Sequence, residues 1–221
     1  MSARDPRPEP VDTGAPSARI LLLTGDRGAG KSTLCGLLAA EAERRGISAG
    51  GIACPAVFGP DGAKIGCRVR DLASGEEREL GSTARELGGP RWKGWSFSRE
   101  GFEAANRAVL AALDRGAGLV ILDEVGPVEL RLGSGLEPSL RALDQRLAGT
   151  GPAGSEGRRP GDPAGPLVLL VVRPELAEEL GRRYPGAGTI RVEPGDRRAA
   201  LESARAALFG VKNPGGPSQA S

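Results

Sequence analysis

The sequence predicts an α/β fold: a mostly parallel sheet with helices on both faces and an antiparallel hairpin extension. Three observations carry that reading. The runs Arg19–Thr24, Gly118–Leu122 and Leu167–Val172 are short and continuously apolar, as strands buried on both faces must be. Between them lie stretches whose apolar residues recur at helical spacing. The alternation of the two, within 221 residues, fits one medium-sized domain with a parallel sheet and crossover helices.

Residues 1–17 are rich in Pro, Asp, Arg and Ser and are expected to form a disordered leader, with the folded domain spanning 18–209. After the first strand comes a Gly-rich loop, Gly25–Gly30. A helix from Lys31 to Arg45 follows, with Leu34, Leu37, Leu38 and Ala42 on one side and Gly46 as its stop. Short strand-like pieces, Ser48–Cys54, Ala63–Leu72 and Glu76–Leu80, make the hairpin region, and Pro60-Asp61-Gly62 supplies a turn. Residues 81–97 read as a Gly-rich connection holding Trp92 and Trp95. Ser98 caps a helix running to about Arg115, whose inner face is Phe102, Ala105, Val109, Leu110 and Leu113. Helices are expected over Leu136–Leu147, Pro174–Arg183 and Arg197–Phe209, and a short strand over Thr189–Val192. Residues 149–166 read as a flexible insert and 210–221 as a disordered tail.

Composition excludes several classes. The chain has 30 basic and 28 acidic residues and no long basic run, so no nucleic-acid footprint and no lipid-seeking surface is expected. The 3 cysteines, Cys35, Cys54 and Cys67, are odd in number and form no CxxC pair, and the chain has 0 His, which argues against a disulfide framework or a zinc site and for reduced thiols in a cytoplasm. No apolar run is long enough to cross a bilayer.

The strongest motif is Gly25-Asp26-Arg27-Gly28-Ala29-Gly30-Lys31-Ser32-Thr33, which satisfies G-x-x-x-x-G-K-[ST] between a strand and a helix. Glycines let the backbone curl so that successive N–H groups face phosphate oxygens, and the following helix adds its positive end. Lys31 supplies a charge for the β- and γ-phosphates, and the Ser32 hydroxyl is placed to ligate Mg2+. Downstream, Leu119–Glu124 has the form of a Walker B segment. Its apolar strand ends in Asp123, placed to hold Mg2+ beside Ser32, and Glu124, placed to orient or deprotonate water. The fold class is thereby narrowed to the P-loop NTPase fold.

Three groups of residues together carry a resemblance: Gly25–Thr33, Lys64–Leu72 with Phe102, and Asp123-Glu124-Val125-Gly126-Pro127-Val128-Glu129-Leu130. They resemble the P-loop nucleoside-triphosphatase family related to nucleotide kinases, of the cancer-related nucleoside-triphosphatase type. The resemblance covers roughly 19–208 and implies Mg2+-dependent hydrolysis of several nucleoside triphosphates, with Glu124 activating water. Glu129 matches a second family glutamate. Gly195-Asp196-Arg197 corresponds to a polar-Arg pair, which implies that Arg197 borders the base. Position 27 departs from the family pattern, with Arg where Pro is usual; Arg27 either acts as an internal arginine finger or faces water.

Other residues carry paired readings. Arg68 and Arg70 share one strand face and point either at phosphates or at solvent. Trp92 and Trp95 either form a base-stacking lid or cover the core edge. Arg173 ends the third buried strand at the ligand edge, within reach of the γ-phosphate or the base. Cys35 is expected to pack. Two alternatives to triphosphate hydrolysis stay open: a nucleotide or small-molecule kinase, with the 52–70 hairpin serving an acceptor, and a nucleotide-dependent binding module with little turnover.

Overall fold

The computed structural model describes residues 19–148 and 165–210; the expected leader, most of the insert and nearly all of the tail lie outside the described residues. In chain order the elements are β1 (Ile20–Thr24), α1 (Lys31–Arg44), β2 (Ala49–Ala53), β3 (Ala56–Phe58), β4 (Lys64–Asp71), β5 (Glu77–Ser82), β6 (Gly88–Trp92) and β7 (Trp95–Ser98). Then follow α2 (Arg99–Asp114), β8 (Leu119–Val125), α3 (Pro127–Leu132), α4 (Glu137–Leu147), β9 (Leu167–Val172), α5 (Pro174–Arg183), β10 (Gly188–Arg191) and α6 (Arg197–Phe209).

All the strands join one sheet in the order β10-β1-β9-β8-β2-β4-β5-β7-β6, with β3 added on β4. From β10 to β2 the pairing is parallel. From β2 onward it is antiparallel. Alternation within each central strand splits its side chains between two cores. Ile20 and Leu22 of β1, with Val120 and Leu122 of β8, pack under α2, α4 and α5. Leu21 and Leu23, with Leu119 and Ile121, pack under α1 and α6. Each such leucine contributes about 1.5–3 kcal/mol by leaving water, and polar residues enter only near the strand ends, at Thr24 of β1 and at Asp123 and Glu124 of β8.

The fold class is as the sequence predicts, but the extension is larger than one hairpin. Residues 81–97 are not a Gly-rich connection: they hold the end of β5 and the strands β6 and β7. The β6–β7 turn is Lys93-Gly94, with φ of 45° and 80°. A two-residue hairpin turn of this kind needs positive φ at both positions, which matches the right-handed strand twist. The strand β3 and the short helix α3 are further elements that the apolar pattern does not reveal, because three and six residues are too few to show a period. Among the described residues no helix is long and apolar enough to cross a membrane.

Candidate active site

Because β1, β8, β9, β10 and β2 run parallel, their C-terminal ends share one edge of the sheet. That edge collects Gly25–Thr33 after β1, Asp123 and Glu124 on β8, Arg173 after β9 and Cys54 after β2. Ligands bind at this edge in open α/β sheets.

The loop after β1 is shaped by its glycines. Gly30 has φ of 98°, and a Cβ there would lie 2.4 Å from Arg197 Nε. The Arg197 guanidinium therefore rests on the loop where only glycine leaves room, which puts this exposed residue at the rim of the phosphate site. The first helical hydrogen bond of α1 runs from the Leu34 amide to the Gly30 carbonyl, 3.0 Å. The amides of Lys31, Ser32 and Thr33 thus have no intrahelical acceptor and are available to an anion at the positive end of the helix. Asp26, Arg27 and Gly28 are exposed and Ala29 is buried in the core under α1. Lys31 Nζ curls back to donate to the carbonyls of Gly25, 2.5 Å, and Asp26, 2.9 Å. Burial lowers the Lys31 pKa, while Glu124, Asp123 and Asp26 act to raise it and Arg173 to lower it.

The acidic end of β8 is built on a break in the sheet. Register with β9 is regular from Leu119↔Leu167 to Leu122↔Leu170 and then steps to Val125↔Val172. One extra residue on β8 is accommodated there, and Glu124 takes φ of 76°, which a side-chain-bearing residue adopts at a cost of order 1–2 kcal/mol. The bulge turns two consecutive carboxylates toward the same edge, where a regular strand would send them to opposite faces.

Asp123 is 1% exposed, and its Oδ2 accepts the Cys54 amide at 2.9 Å. Burial pushes its carboxyl up from its ordinary value, opposed by hydrogen bonds from the Cys54 amide and the Ser32 side chain. Glu124 is gripped from two sides. Lys64 Nζ lies 3.4 Å from Oε2 and Arg173 Nη2 lies 3.2 Å from Oε1. Burial acts to raise its carboxyl, but Lys64 and Arg173 outweigh it and the pKa is lowered. Glu124 is therefore ionised at neutral pH and able to accept hydrogen bonds.

Glu129 sits apart from this cluster. It is 4% exposed and accepts the amides of Gly126, 2.8 Å, and Leu136, 3.1 Å. It pins the start of α3 to the start of α4, so it braces the segment behind Glu124. Burial pushes its carboxyl up to about 7, against those two amides.

Lys64 is the side chain at this edge to which the sequence pattern assigns no role. It heads the Lys64–Leu72 segment, but nothing in a local pattern shows that it will reach a carboxylate 60 positions away. Its side chain is only 12% exposed and its ammonium lies 5.5 Å from the Trp95 ring centroid. Trp95 in turn stacks on Phe97 at 6.1 Å, and Trp92 and Trp95 both pack against the core, which makes them cover for the core edge in a hairpin and not a loose lid. Arg68 and Arg70 pair with Glu77 on the solvent side of the extension. Cys35, Cys54 and Cys67 are unpaired and buried.

A parallel sheet, a Gly-rich loop carrying Lys31 and Ser32, and an acidic strand end beside it define a P-loop nucleotide-binding protein. Comparison with known proteins narrows the class. The model of the family described as NTPase matches residues 20–145, and the chain belongs to that family. It is 35% identical over 125 residues to the nucleoside-triphosphatase THEP1 of Methanopyrus kandleri, covering 56% of this chain and 67% of that one. It is 36% identical over 129 residues to the protein of the same name from Thermofilum pendens, covering 58% and 69%. Among solved structures it is similar in fold to the human cancer-related nucleoside triphosphatase, with TM-score 0.60 and 22% identity over 89% of this chain and 100% of that one. It is likewise similar to THEP1 from Aquifex aeolicus, with TM-score 0.59 and 21% identity over 86% and 98%. The family match ends before β9, so Arg173 and Arg197 are placed by the fold alone.

Proposed function

We propose that this chain hydrolyses nucleoside triphosphates, ATP and GTP among them, to the diphosphate and phosphate in a Mg2+-dependent reaction. One observation carries the reading: the Lys31–Ser32 loop and the Asp123–Glu124 bulge meet at a single sheet edge. Family membership supports hydrolysis over transfer to another acceptor.

The amides of Gly28–Thr33 and the Lys31 ammonium bind the β- and γ-phosphates. Ser32 and Asp123 would hold the metal. They are hard oxygen donors in hydrogen-bond contact, which suits Mg2+. Phosphate oxygens and water would complete its shell. When bound, the ion would neutralise charge on the phosphates. Glu124, ionised and forced into the cleft by the bulge, orients the attacking water. The water oxygen bonds to the γ-phosphorus as the bond to the β–γ bridging oxygen breaks, and the water's proton passes by way of Glu124 to the released phosphate. Lys31 offsets the negative charge that develops. Arg197 borders the base from the rim, and exposed Arg27 faces water. The buried, unpaired thiols fit a reducing cytoplasm, and the folded unit is assigned to 18–209 with the insert at 149–166.

The test is phosphate release from ATP, GTP, CTP and UTP with Mg2+, with and without nucleosides and nucleoside monophosphates. Lys31→Ala and Glu124→Gln are each expected to lower kcat by about a hundred- to a thousandfold, as loss of one charge-stabilising or water-orienting group does. Release that stays negligible until one acceptor is added would make the protein a kinase; tight binding with no release under any condition would make it a binding module.

A further inference from the structure

Glu124 has two cationic partners, and they come from different places. Lys64 belongs to the antiparallel extension. Arg173 is the residue that follows β9, and β9 is the strand inserted between β1, which carries the phosphate loop, and β8, which carries Asp123 and Glu124. A side chain leaving the end of that strand stands between the phosphate loop and the water-orienting carboxylate. Arg173 is close enough to Lys31 to depress its protonation, and it also lies 3.2 Å from Glu124. Its side chain is 38% exposed, so it is not locked into the core and can exchange partners.

We propose that Arg173 reads the γ-phosphate: it holds Glu124 when no triphosphate is present and transfers to the γ-phosphate oxygens when one binds. The inference rests on the hydrolytic reading of the site and adds to it the residue that tells a triphosphate from a diphosphate. The physical argument is competition for one guanidinium. A carboxylate and a terminal phosphate are both anionic acceptors matched to its fork of N–H donors, and the phosphate carries the larger charge. A diphosphate seated on the same loop ends short of Arg173 and leaves the Glu124 pair intact. A triphosphate takes the guanidinium, and Glu124, still held by Lys64 on its other oxygen, gains an acceptor position for water. Arg173 is thus a substrate-contacting residue, and Lys64 a positioning residue that keeps Glu124 in place during the exchange.

The test measures binding of the imido analogues of ATP and GTP, and of ADP and GDP, to the full chain with Mg2+. Wild type, Arg173→Ala, Arg173→Lys, Glu124→Gln and the Arg173→Ala/Glu124→Gln double variant are compared. Arg173→Ala is expected to weaken the imido analogues about tenfold while leaving the diphosphates within about twofold, and Arg173→Lys to recover part of the loss. Unchanged diphosphate binding shows that the variant is folded. Glu124→Gln removes the competitor for the guanidinium and is expected to tighten the analogues about fivefold when Arg173 is present and not when it is Ala. Equal analogue binding by wild type and Arg173→Ala overturns the proposal, as does equal tightening by Glu124→Gln in both backgrounds. Hydrolysis by wild type is scored separately. If wild type hydrolyses but Arg173 is indifferent, only this inference falls; if the binding cycle behaves as stated but no phosphate is released, only the hydrolytic reading falls.

Discussion

The sheet has two halves that differ in almost every physical respect. From β10 to β2 the strands are parallel, the side chains of β1, β9 and most of β8 are buried on both faces, and helices cover them on each side, while the edge strand β10 leaves Thr189 and Arg191 exposed. From β4 to β6, with β3, the strands are antiparallel, polar residues alternate along them, and one face meets solvent through pairs such as Arg70 with Glu77 and Arg85 with Glu79. The parallel half supplies the phosphate loop, Asp123, Glu124 and Arg173. The antiparallel half supplies one group to the same cleft, Lys64, which reaches back across the boundary to Glu124. The apolar half carries the phosphate loop and the acidic strand end, and the more polar half, joined to it through the β2–β4 pairing, adds the Lys64–Glu124 ion pair. The loop-to-acid geometry therefore depends on the first half, while the second acts through Glu124.

The largest expected effect concerns the buried carboxylate that braces the parallel half. Glu129 has its folded-state pKa raised to about 7, and in the unfolded chain it has the ordinary carboxylate value of 4.5. Between those values the folded protein binds more protons than the unfolded one, so stability falls as pH rises from about 4.5 to about 7, by on the order of 3 kcal/mol at full ionisation. Glu129→Gln removes that titration. Denaturant melts across this range are expected to show the stability of wild type declining relative to the variant as pH rises; parallel curves would show that the two amides fully offset burial.

The next tests whether the antiparallel half matters to chemistry. Lys64→Met keeps the stem and deletes the charge, and is expected to lower kcat about tenfold with little change in diphosphate affinity, the scale of one partly buried charge-assisted contact. A kcat equal to wild type would make the extension a bystander.

Smaller effects are expected within the extension itself. Gly94→Ala places a side chain at φ of 80° in the β6–β7 turn and is expected to cost about 1 kcal/mol in denaturant unfolding. No loss would show that the turn rearranges. Arg70→Ala breaks an exposed pair with Glu77, and Tm is expected to stay within about 2 °C of wild type, since exposed ion pairs contribute little. A larger drop would mean that the solvent face of the extension is tighter than its exposure indicates.

How much was legible follows the same division. Leu167–Val172 and Arg197–Phe209 have in the structure the bounds expected from the sequence, because an unbroken apolar run and a clean helical repeat leave little choice of alternative structure. The stretch 81–97 reads as a loop because its four glycines and Pro90 mask short strands, although Trp92-Lys93-Gly94-Trp95 carries a usable turn signal in its Lys-Gly pair. Arg68 and Arg70 were correctly placed on one strand face, but only their common partner Glu77 decided between phosphate and solvent.

By itself the sequence determined the class of fold, the loop from Gly25 to Thr33 and the strand that ends in Asp123 and Glu124. These are local matters, set by spacing, glycine and apolar runs. The tertiary structure alone decided that β9 lies between the loop strand and the acidic strand, that a bulge turns Glu124 toward the cleft beside Asp123, and that Lys64 and Arg173 converge on it. Those contacts join residues 49 and 60 positions apart. No periodicity along a chain encodes such a meeting; it follows from the order in which strands are laid into the sheet.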